Sequence, residues 1–263
     1  MRVLFVSIAF PPKSDPESLQ VLKYYTYLKE KSDVKVTVVT SKNPTLFMEP
    51  DPELEEYLHG YEQLIEIPIK ESKLGNFVKR KVSADVLSFP DSKHSFFKGH
   101  KEVASKVKHR PDIIYSRSFP LSSTLMAYHL ASHFDVPWVM HLSDPWTFNT
   151  KETEGLSDAQ QWNLEWEEKC ITRADFVTFT SEKTIAFYKN KYPEFSDKFG
   201  FSPNVYDLKQ DVSVARKRAA NSAVRMVYTG GLTQGRNPKF LLDALKKVSQ
   251  LSLIHISEPT RQK

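Results

Sequence analysis

Three side chains suited to sugar chemistry stand together around the end of one apolar run. The run is PWVMHL, which contains His141, and Asp144 and Trp146 follow it. A carboxylate accepts hydrogen bonds from sugar hydroxyls, an aromatic ring can stack on a sugar ring, and an imidazole adds a titratable group. The pattern therefore favours a sugar site. Two plainer interpretations stay open: a turn at Asp144 and Pro145 with Trp146 packed inward, and a satisfied core residue at His141.

A glycine-rich turn near the end of the chain is suited to a phosphate. The turn YTGGLTQGRNP follows VRMVY, which we predict as a strand, and precedes a helical pattern. Asn237 suits the cap of that helix and Pro238 its first position, so the free amides of Lys239 and Phe240 would face an anion. Arg236 could pair with a phosphate through two hydrogen bonds. The alternative is an ordinary turn with a surface arginine.

Motifs for other nucleotides and cofactors are missing from the sequence. The first turn, IAFPPKSDPES, contains no glycine, whereas a dinucleotide fingerprint needs glycines so that the backbone can approach a pyrophosphate. There is no Walker A loop, no GxSxG elbow and no histidine and cysteine spacing typical of zinc. The single cysteine, Cys170, excludes a disulfide within the chain and favours a reducing compartment. We predict it as a buried helical residue.

Strand patterns alternate with helix patterns along most of the chain. The predicted strands are RVLFVSI, VKVTVV, QLIEIPI, PDIIYS, PWVMHL and DFVTFT. This alternation predicts an α/β fold with a parallel sheet covered by helices on both faces. Because ligands bind beyond the carboxyl ends of such strands, we expect functional residues in AFPPKSD, in SRSFP with Arg117, in HLSDPW and in TSE.

Single residues predict several helix boundaries. Asp15 and Pro16 fit the start of the first helix, Ser157 and Gln160 a capping box, and Ser181 the start of a later helix. Helical spacing predicts buried stripes at Leu19, Leu22, Tyr25 and Leu28, and at Ala159, Trp162, Trp166 and Cys170. The apolar periodicity lapses over residues 206–223. We therefore predict a domain at 1–205, a linker at 206–223 and the start of a second domain at 224–250.

The net charge of +5 is unevenly distributed. Between Lys70 and Arg110, nine lysines and two arginines stand against two aspartates and two glutamates, which makes this segment +7. Apolar residues lie among these charges: Leu74, Phe77, Val78, Phe89, Phe96 and Phe97. The mixture suits a peripheral, anionic membrane surface, and the alternative is a solvated face with a few anchors. No recognised nucleic-acid module is present, so no nucleic acid is expected as a partner.

The order of these segments resembles the family 4 glycosyltransferases, which have the GT-B fold. The resemblance covers roughly residues 1–250, and its most specific part is ADFVTFTSE followed by PNVYD and the glycine turn. It implies a Rossmann-like acceptor domain followed here by the first β-α unit of a second Rossmann-like domain, which binds a nucleotide-sugar donor. It also implies sugar transfer with retention of anomeric configuration, with the nucleotide-sugar as a substrate and without a metal or other cofactor.

The resemblance assigns donor roles to the late turn. Gly230 matches the glycine that opens the phosphate-binding loop, and Arg236 matches the cation that holds the donor diphosphate, with Gly231 beside them. Three features depart from the family. Gly231 stands where many members carry a second basic residue, the first turn lacks their paired glycines, and the paired glutamates of the donor domain do not occur before the chain ends.

The resemblance also places the acceptor side. His141 and Asp144 fall in the loop that borders the reacting centre, so we predict them as catalytic through acceptor orientation or transition-state electrostatics. Trp146 and Arg117 are predicted to bind the acceptor. Many members build cell-envelope polysaccharides or lipid-linked glycans, so a glycan or lipid-linked acceptor is expected, in the cytoplasm or peripherally at the inner face of the cell membrane.

The last residues do not continue the preceding helical pattern. LSLIHISEPTR is what the adapter of a transposase-based sequencing library encodes when read in frame. We therefore hypothesise that residues 251–263 are an artefact, that the donor domain continues in the natural gene, and that this chain alone has negligible turnover. A genuine short protein is the alternative. A GT-B-type sugar-nucleotide epimerase and a non-catalytic acceptor- or membrane-binding module are the other functions left open.

Overall fold

A computed structural model describes residues 1–42, 50–69, 90–147, 155–205, 226–228 and 237–249. The chain divides into two units, Met1–Leu208 and Lys209–Lys263. The sheet and the helices around it lie in the first unit. The described residues of the second unit contain one helix.

The first unit is built on a parallel sheet whose strand order is β3-β2-β1-β4-β5-β6-β7. Its described strands are β1 (Arg2–Val6), β2 (Lys35–Ser41), β3 (Gln63–Ile67), β4 (Ile113–Ser118), β5 (Trp138–Leu142), β6 (Phe176–Phe179) and β7 (Phe199–Phe201). The chain order reverses direction between β1 and β4, as in a Rossmann-like, doubly wound sheet. The predicted α/β class and the six predicted strands are confirmed. The short, glycine-containing β7 was not predicted.

Helices connect the strands. Those among the described residues are α1 (Pro16–Lys29), the single turn α2 (Ser95–Lys98), α3 (His100–Lys106), α4 (Ser122–Phe134), α5 (Asp158–Arg173) and α6 (Glu182–Lys191), with α7 (Lys239–Ser249) in the second unit. Described 3-10 helices occupy Pro52–Tyr57 and Pro193–Lys198. The sequence SSTLMAYHLASHF forms α4 over its whole length.

The sheet is buried on both faces. Leu4 and Val6 of β1 belong to one apolar cluster with α4, α5 and α6, whereas Phe5 belongs to a second cluster with α1. Alternate side chains of a strand point to opposite faces. This explains why the strands read as continuous apolar runs rather than as alternating ones.

The predicted helix starts are confirmed. Asp15 caps α1 by accepting hydrogen bonds from the amides of Glu17 and Ser18, and Ser157 and Gln160 form the capping box of α5. Ser181 caps α6 by accepting from the amide of Lys183. Each cap satisfies amides that the first helical turn leaves without an intrahelical acceptor.

The predicted buried stripes are only partly right. In α1, Leu22 and Tyr25 are buried, but Leu19 is 43% exposed and Ser18 and Val21 are buried instead. The buried face is the one that packs against the sheet through Val21, Leu22 and Tyr25, and the buried Ser18 hydroxyl donates to the Asp15 carboxylate. In α5 the buried residues are Leu164, Glu167, Cys170 and Ile171, while Trp162 and Trp166 are half-buried against the core.

The second unit departs from its prediction in one respect. Asn237 caps α7 as predicted, because its side-chain oxygen accepts from the amide of Lys239 at 2.9 Å. That amide is therefore not free for an anion. Residues 226–228, predicted within a strand, are exposed and lie in no strand. A strand needs a neighbour for its backbone hydrogen bonds, and no described residue of this unit provides one.

In the described part of the basic segment, two of the apolar residues pack into the protein. Phe96 is fully buried and Phe97 packs against the core, so Phe96 is not a surface anchor. Lys98, Lys101 and Lys106 are exposed. The other predicted anchors, Leu74, Phe77, Val78 and Phe89, lie outside the described residues. Among the described helices, none combines the length and apolar character needed to cross a bilayer.

Candidate functional site

A pocket of about 380 Å³ opens beyond the carboxyl ends of β1, β4 and β5. Its lining residues are Asp15, Pro16, Glu17, Gln20, Phe119, Pro120, Ser143, Asp144 and Asn204. Three of the four segments predicted from strand ends contribute to it: AFPPKSD, SRSFP and HLSDPW. The segment TSE does not, and Asn204 after β7 does. The pocket thus lies where an open parallel sheet binds its ligands.

Arg117 lies behind the wall of this pocket. The side chain is fully buried; its Nε donates to Glu17 Oε1 at 2.7 Å and its Nη2 to Asn204 Oδ1 at 3.0 Å. The guanidinium also stacks over the Tyr24 ring, 4.5 Å from its centroid. The predicted contact between Arg117 and an acceptor would therefore have to pass through Glu17 or Asn204.

The pKa of the Glu17 carboxyl is unusually high for a carboxyl in an ion pair. Burial raises its pKa from 4.5 to about 7, and Asp15 adds to this effect. Arg117 and the Ser143 hydroxyl oppose the rise without cancelling it. The cost of desolvating the carboxylate thus exceeds the gain from its one cationic neighbour.

His141 pairs with Arg117 in the register of β4 and β5 and is fully buried. Its Nδ1 lies 2.9 Å from Thr178 Oγ1, and its buried Nε2 has no hydrogen-bond partner among the described residues. Burial, reinforced by Arg117, lowers the His141 pKa to about 3. The imidazole is therefore neutral near pH 7. Its catalytic role stays a prediction, and only a neutral ring could fill it.

Asp144 and Trp146, the two other residues predicted in this region, lie in different environments. Asp144 is exposed and lines the pocket. Trp146 is 8% exposed and packs in the core, and its indole Nε1 donates to Asn163 Oδ1 at 2.8 Å. This is the inward packing that the sequence left open. Stacking of Trp146 on an acceptor would require that face to be uncovered, so this role stays a prediction.

A buried polar network fixes the end of the Asp144 loop. Glu167 accepts hydrogen bonds from Lys191 Nζ at 2.6 Å, Tyr192 Oη at 3.0 Å, Thr147 Oγ1 at 2.6 Å and the Tyr188 hydroxyl. The Tyr188 hydroxyl in turn accepts from the amide of Trp146. Since the charge pair is fully enclosed and well hydrogen-bonded, it holds the loop in one geometry.

Lys13 fixes the loop after β1 in a similar way. Its Nζ donates to the carbonyl oxygen of Ser41 at 2.8 Å and, at 3.4 Å, to that of Phe10. It therefore ties the loop after β1 to the end of β2. Burial lowers its pKa to about 8, although Glu66 and Asp15 counteract part of this effect.

The predicted donor residues cannot be placed. Gly230, Gly231 and Arg236 lie outside the described residues. Within the described ranges, no group of three histidine, cysteine, aspartate or glutamate side chains is arranged to hold a metal ion.

The sequence did not single out Glu17 or Asn204. Glu17 lies in the first turn of α1, directly after the predicted cap at Asp15, and this position alone places it at the rim of the sheet. Asn204 follows β7, a strand that was not predicted. The buried cation between them, Arg117, is the feature that unites them, and it requires three-dimensional contacts.

The comparisons with known proteins give weak matches. No protein-family model matches the sequence, and no curated protein does. Among solved structures, Anabaena Alr3699/HepE in complex with UDP and glucose is 16% identical, with a TM-score of 0.45 over 79% of this chain and 45% of that one. A UDP-N-acetylglucosamine 2-epimerase is 14% identical, with a TM-score of 0.46 over 78% of this chain and 48% of that one.

A third similar structure is the apo form of Phytolacca americana UGT2. It is 9% identical, with a TM-score of 0.45 over 77% of this chain and 51% of that one. The chain spans about half the length of the solved structures it matches. Similarities of this strength carry no argument about activity, which has to come from the residues.

Proposed function

We propose that this chain is the acceptor-side part of a retaining glycosyltransferase of the GT-B type. The enzyme would move a sugar from a nucleotide-sugar donor to a cell-envelope glycan or a lipid-linked acceptor. The observation that carries the proposal is the pocket at the carboxyl ends of β1, β4 and β5, which combines carboxylates with the flat apolar surfaces of Phe119 and Pro120. Carboxylates match sugar hydroxyls, and flat apolar surfaces match sugar rings. The motif order of the sequence supports the same proposal.

In the proposed mechanism, an acceptor hydroxyl bound in this pocket attacks the anomeric carbon of the donor. The bond from that carbon to the diphosphate breaks and the nucleoside diphosphate leaves with the electron pair, while the acceptor hydroxyl attacks from the same face and passes its proton to the departing phosphate oxygen. Arg236 would stabilise the charge on the leaving group. Asp144 would orient the acceptor, and the neutral His141 would contribute through its dipole. No metal takes part in this proposal.

The proposal extends to a peripheral membrane surface. Support comes from exposed lysines of the basic segment, such as Lys98, Lys101 and Lys106. Co-sedimentation with vesicles tests it: the chain should pellet with vesicles containing phosphatidylserine and remain in solution with pure phosphatidylcholine. Equal partition with both vesicle types would reject the membrane surface and leave the transferase proposal unaffected.

The transferase proposal is tested with the full-length protein encoded at the source locus. The expressed protein is incubated with a panel of nucleotide-sugars, with and without methyl glycosides as acceptors, and nucleoside diphosphate release is measured. Acceptor-dependent release and a product that keeps the donor's anomeric configuration are expected. A changed configuration at C2 of the donor sugar without an acceptor would indicate an epimerase, and acceptor binding without any turnover would indicate a binding module.

A further inference from the structure

We propose that Glu17 selects the acceptor by charge, and that the group entering this pocket is a hydroxyl-bearing sugar that is neutral or cationic, not anionic. Arg117 would act only through Glu17, as a positioning residue. The inference rests on the proposed function, because it names the substrate class of the same pocket.

Most polar side chains in the pocket wall already have hydrogen-bond partners within the protein. Asp15 is occupied by the cap of α1. The Gln20 side chain both donates to and accepts from the backbone of Val205. The Asn204 oxygen accepts from Arg117, and the Ser143 hydroxyl donates to the carbonyl oxygen of Ser118. Among the described lining residues, Glu17 and Asp144 therefore keep the most acceptor capacity.

The charge of the pocket wall disfavours an anion. Every ionisable residue among the described residues that line the pocket is a carboxylate: Asp15, Glu17 and Asp144. The described cations near these residues are held by protein groups: Arg117 is fully buried and directs two of its nitrogens to Glu17 and Asn204, the buried Lys13 donates to backbone carbonyls, and Lys23 donates to the carbonyl oxygen of Val205. A phosphate or carboxylate on the ligand would meet like charges and could not reach the guanidinium. Hydroxyl and ammonium groups would instead donate to the carboxylates.

Glu17 is better placed than Asp144 to discriminate between ligands of different charge. Asp144 is exposed, so water competes for its hydrogen bonds and screens its charge. The Glu17 side chain is 16% exposed, and Arg117 fixes its Oε1. The groups around it are Arg117 and Tyr115 from β4, Tyr24 and Asp15 from the chain around α1, and Ser143 and Asp144 from the loop after β5. A desolvated, oriented carboxylate discriminates more strongly between ligand charges than an exposed one.

The test uses three sugars of one shape and different charge on the 263-residue chain. Methyl glucoside is neutral, the amino sugar methyl 6-amino-6-deoxyglucoside carries an ammonium group that stays largely protonated at pH 8, and glucuronate carries a carboxylate. Their affinities are measured by saturation-transfer NMR near pH 8, where Glu17 is ionised. We expect methyl glucoside and the amino sugar to bind, and glucuronate to bind at least about tenfold more weakly. Equal or tighter binding of glucuronate, or no binding of any sugar, would overturn the proposal.

Substitutions at Glu17 test whether this residue causes the charge preference among the three sugars. Glu17→Gln should weaken the binding of the amino sugar about 10- to 100-fold, as for a lost charged hydrogen bond, and should bring the three affinities together. The same substitution at Glu30, exposed at the other end of α1, should change nothing. An unchanged affinity ratio in Glu17→Gln would overturn the proposal. If that variant does not fold, Glu17→Asp should keep the charge preference with weaker affinity, and loss of the preference would contradict the account.

Arg117→Lys tests the positioning role. The variant keeps a buried cation but loses the two-nitrogen contact with Glu17 and Asn204. Affinity should fall for all three sugars while their order stays the same, and a reversed order would show that Arg117 contacts the ligand directly. Ethanolamine separates this inference from the proposed function: if it binds as tightly as the amino sugar, the pocket recognises cations without recognising sugars, and the transferase proposal fails while charge selection stands.

Discussion

The pair of Glu17 and Arg117 makes a quantitative prediction about stability and pH. Burial raises the Glu17 pKa from 4.5 to about 7 in the folded protein. Because the folded pKa lies above the unfolded one, the folded state binds the proton more tightly. The resulting stabilisation is complete below about pH 4.5 and is lost as the pH rises through about 7. Between about pH 5 and pH 8.5, this single carboxyl should remove about 2.5 kcal/mol from the free energy of unfolding.

The perturbation that isolates this effect is Glu17→Gln, which cannot titrate. Urea unfolding of the wild type and the variant is measured across this pH range, and the two free energies are subtracted at each pH. Groups common to both proteins, such as His141, cancel in the difference. The stability of the wild type relative to the variant should fall by about 2.5 kcal/mol from the acid to the alkaline end.

The matched control is Glu30→Gln, whose difference from the wild type should stay flat within about 0.5 kcal/mol. A flat difference for Glu17→Gln would refute the account of burial. A difference that grows in favour of the wild type as the pH rises would show that attraction to Arg117 outweighs desolvation of the carboxylate.

Three further predictions concern other buried groups. Glu167→Gln should lower the free energy of unfolding by about 3–5 kcal/mol because it leaves the Lys191 charge buried without its partner. Adding Lys191→Met should restore part of the loss. Urea titration of the single and the double variant checks both expectations. The folded pKa of His141 lies at about 3, below its usual 6.5. Protonation of this imidazole in the unfolded state should therefore cost the wild type about 2 kcal/mol of stability between about pH 7 and pH 5, and His141→Gln should remove that loss. The Cys170 thiol is fully buried and its pKa is raised by burial, so a thiol reagent should modify it only at the rate of unfolding.

Each of these has an outcome that would contradict it. A loss below about 1 kcal/mol in Glu167→Gln would mean that the buried network does not hold the loop after β5. A pH dependence in His141→Gln equal to that of the wild type would mean that this imidazole is accessible to protons. Rapid modification of Cys170 under native conditions would mean that α5 opens locally.

The sequence was sufficient for the sheet and its edge. Continuous apolar runs predict strands buried on both faces, and Asp15, Ser157 and Ser181 predict helix starts because a cap is a local interaction. The stripe of α1 was wrong at Leu19, because the helix packs on the sheet through Val21, Leu22 and Tyr25. Residue spacing alone does not show which of two neighbouring stripes faces the sheet.

The pocket lies at the predicted strand ends, but the contacts around it were not predicted. The rule that ligands bind at strand ends placed Asp144 correctly at the pocket. It could not show that Trp146 packs inward, because a tryptophan after a strand suits either a core or a ligand. Nor could it find the link from Glu17 through Arg117 to Asn204, which joins residues separated by 100 and 87 positions. Long-range charge pairs leave no periodic signal in a sequence.

The central proposal is that this chain forms the acceptor side of a glycosyltransferase, and acceptor-dependent release of nucleoside diphosphate by the full-length protein encoded at the source locus tests it most directly. The account predicts release that requires both a nucleotide-sugar and a methyl glycoside acceptor. Release that does not depend on the acceptor, or sugar binding without any release, would contradict the transferase proposal and favour an epimerase or an acceptor-binding module.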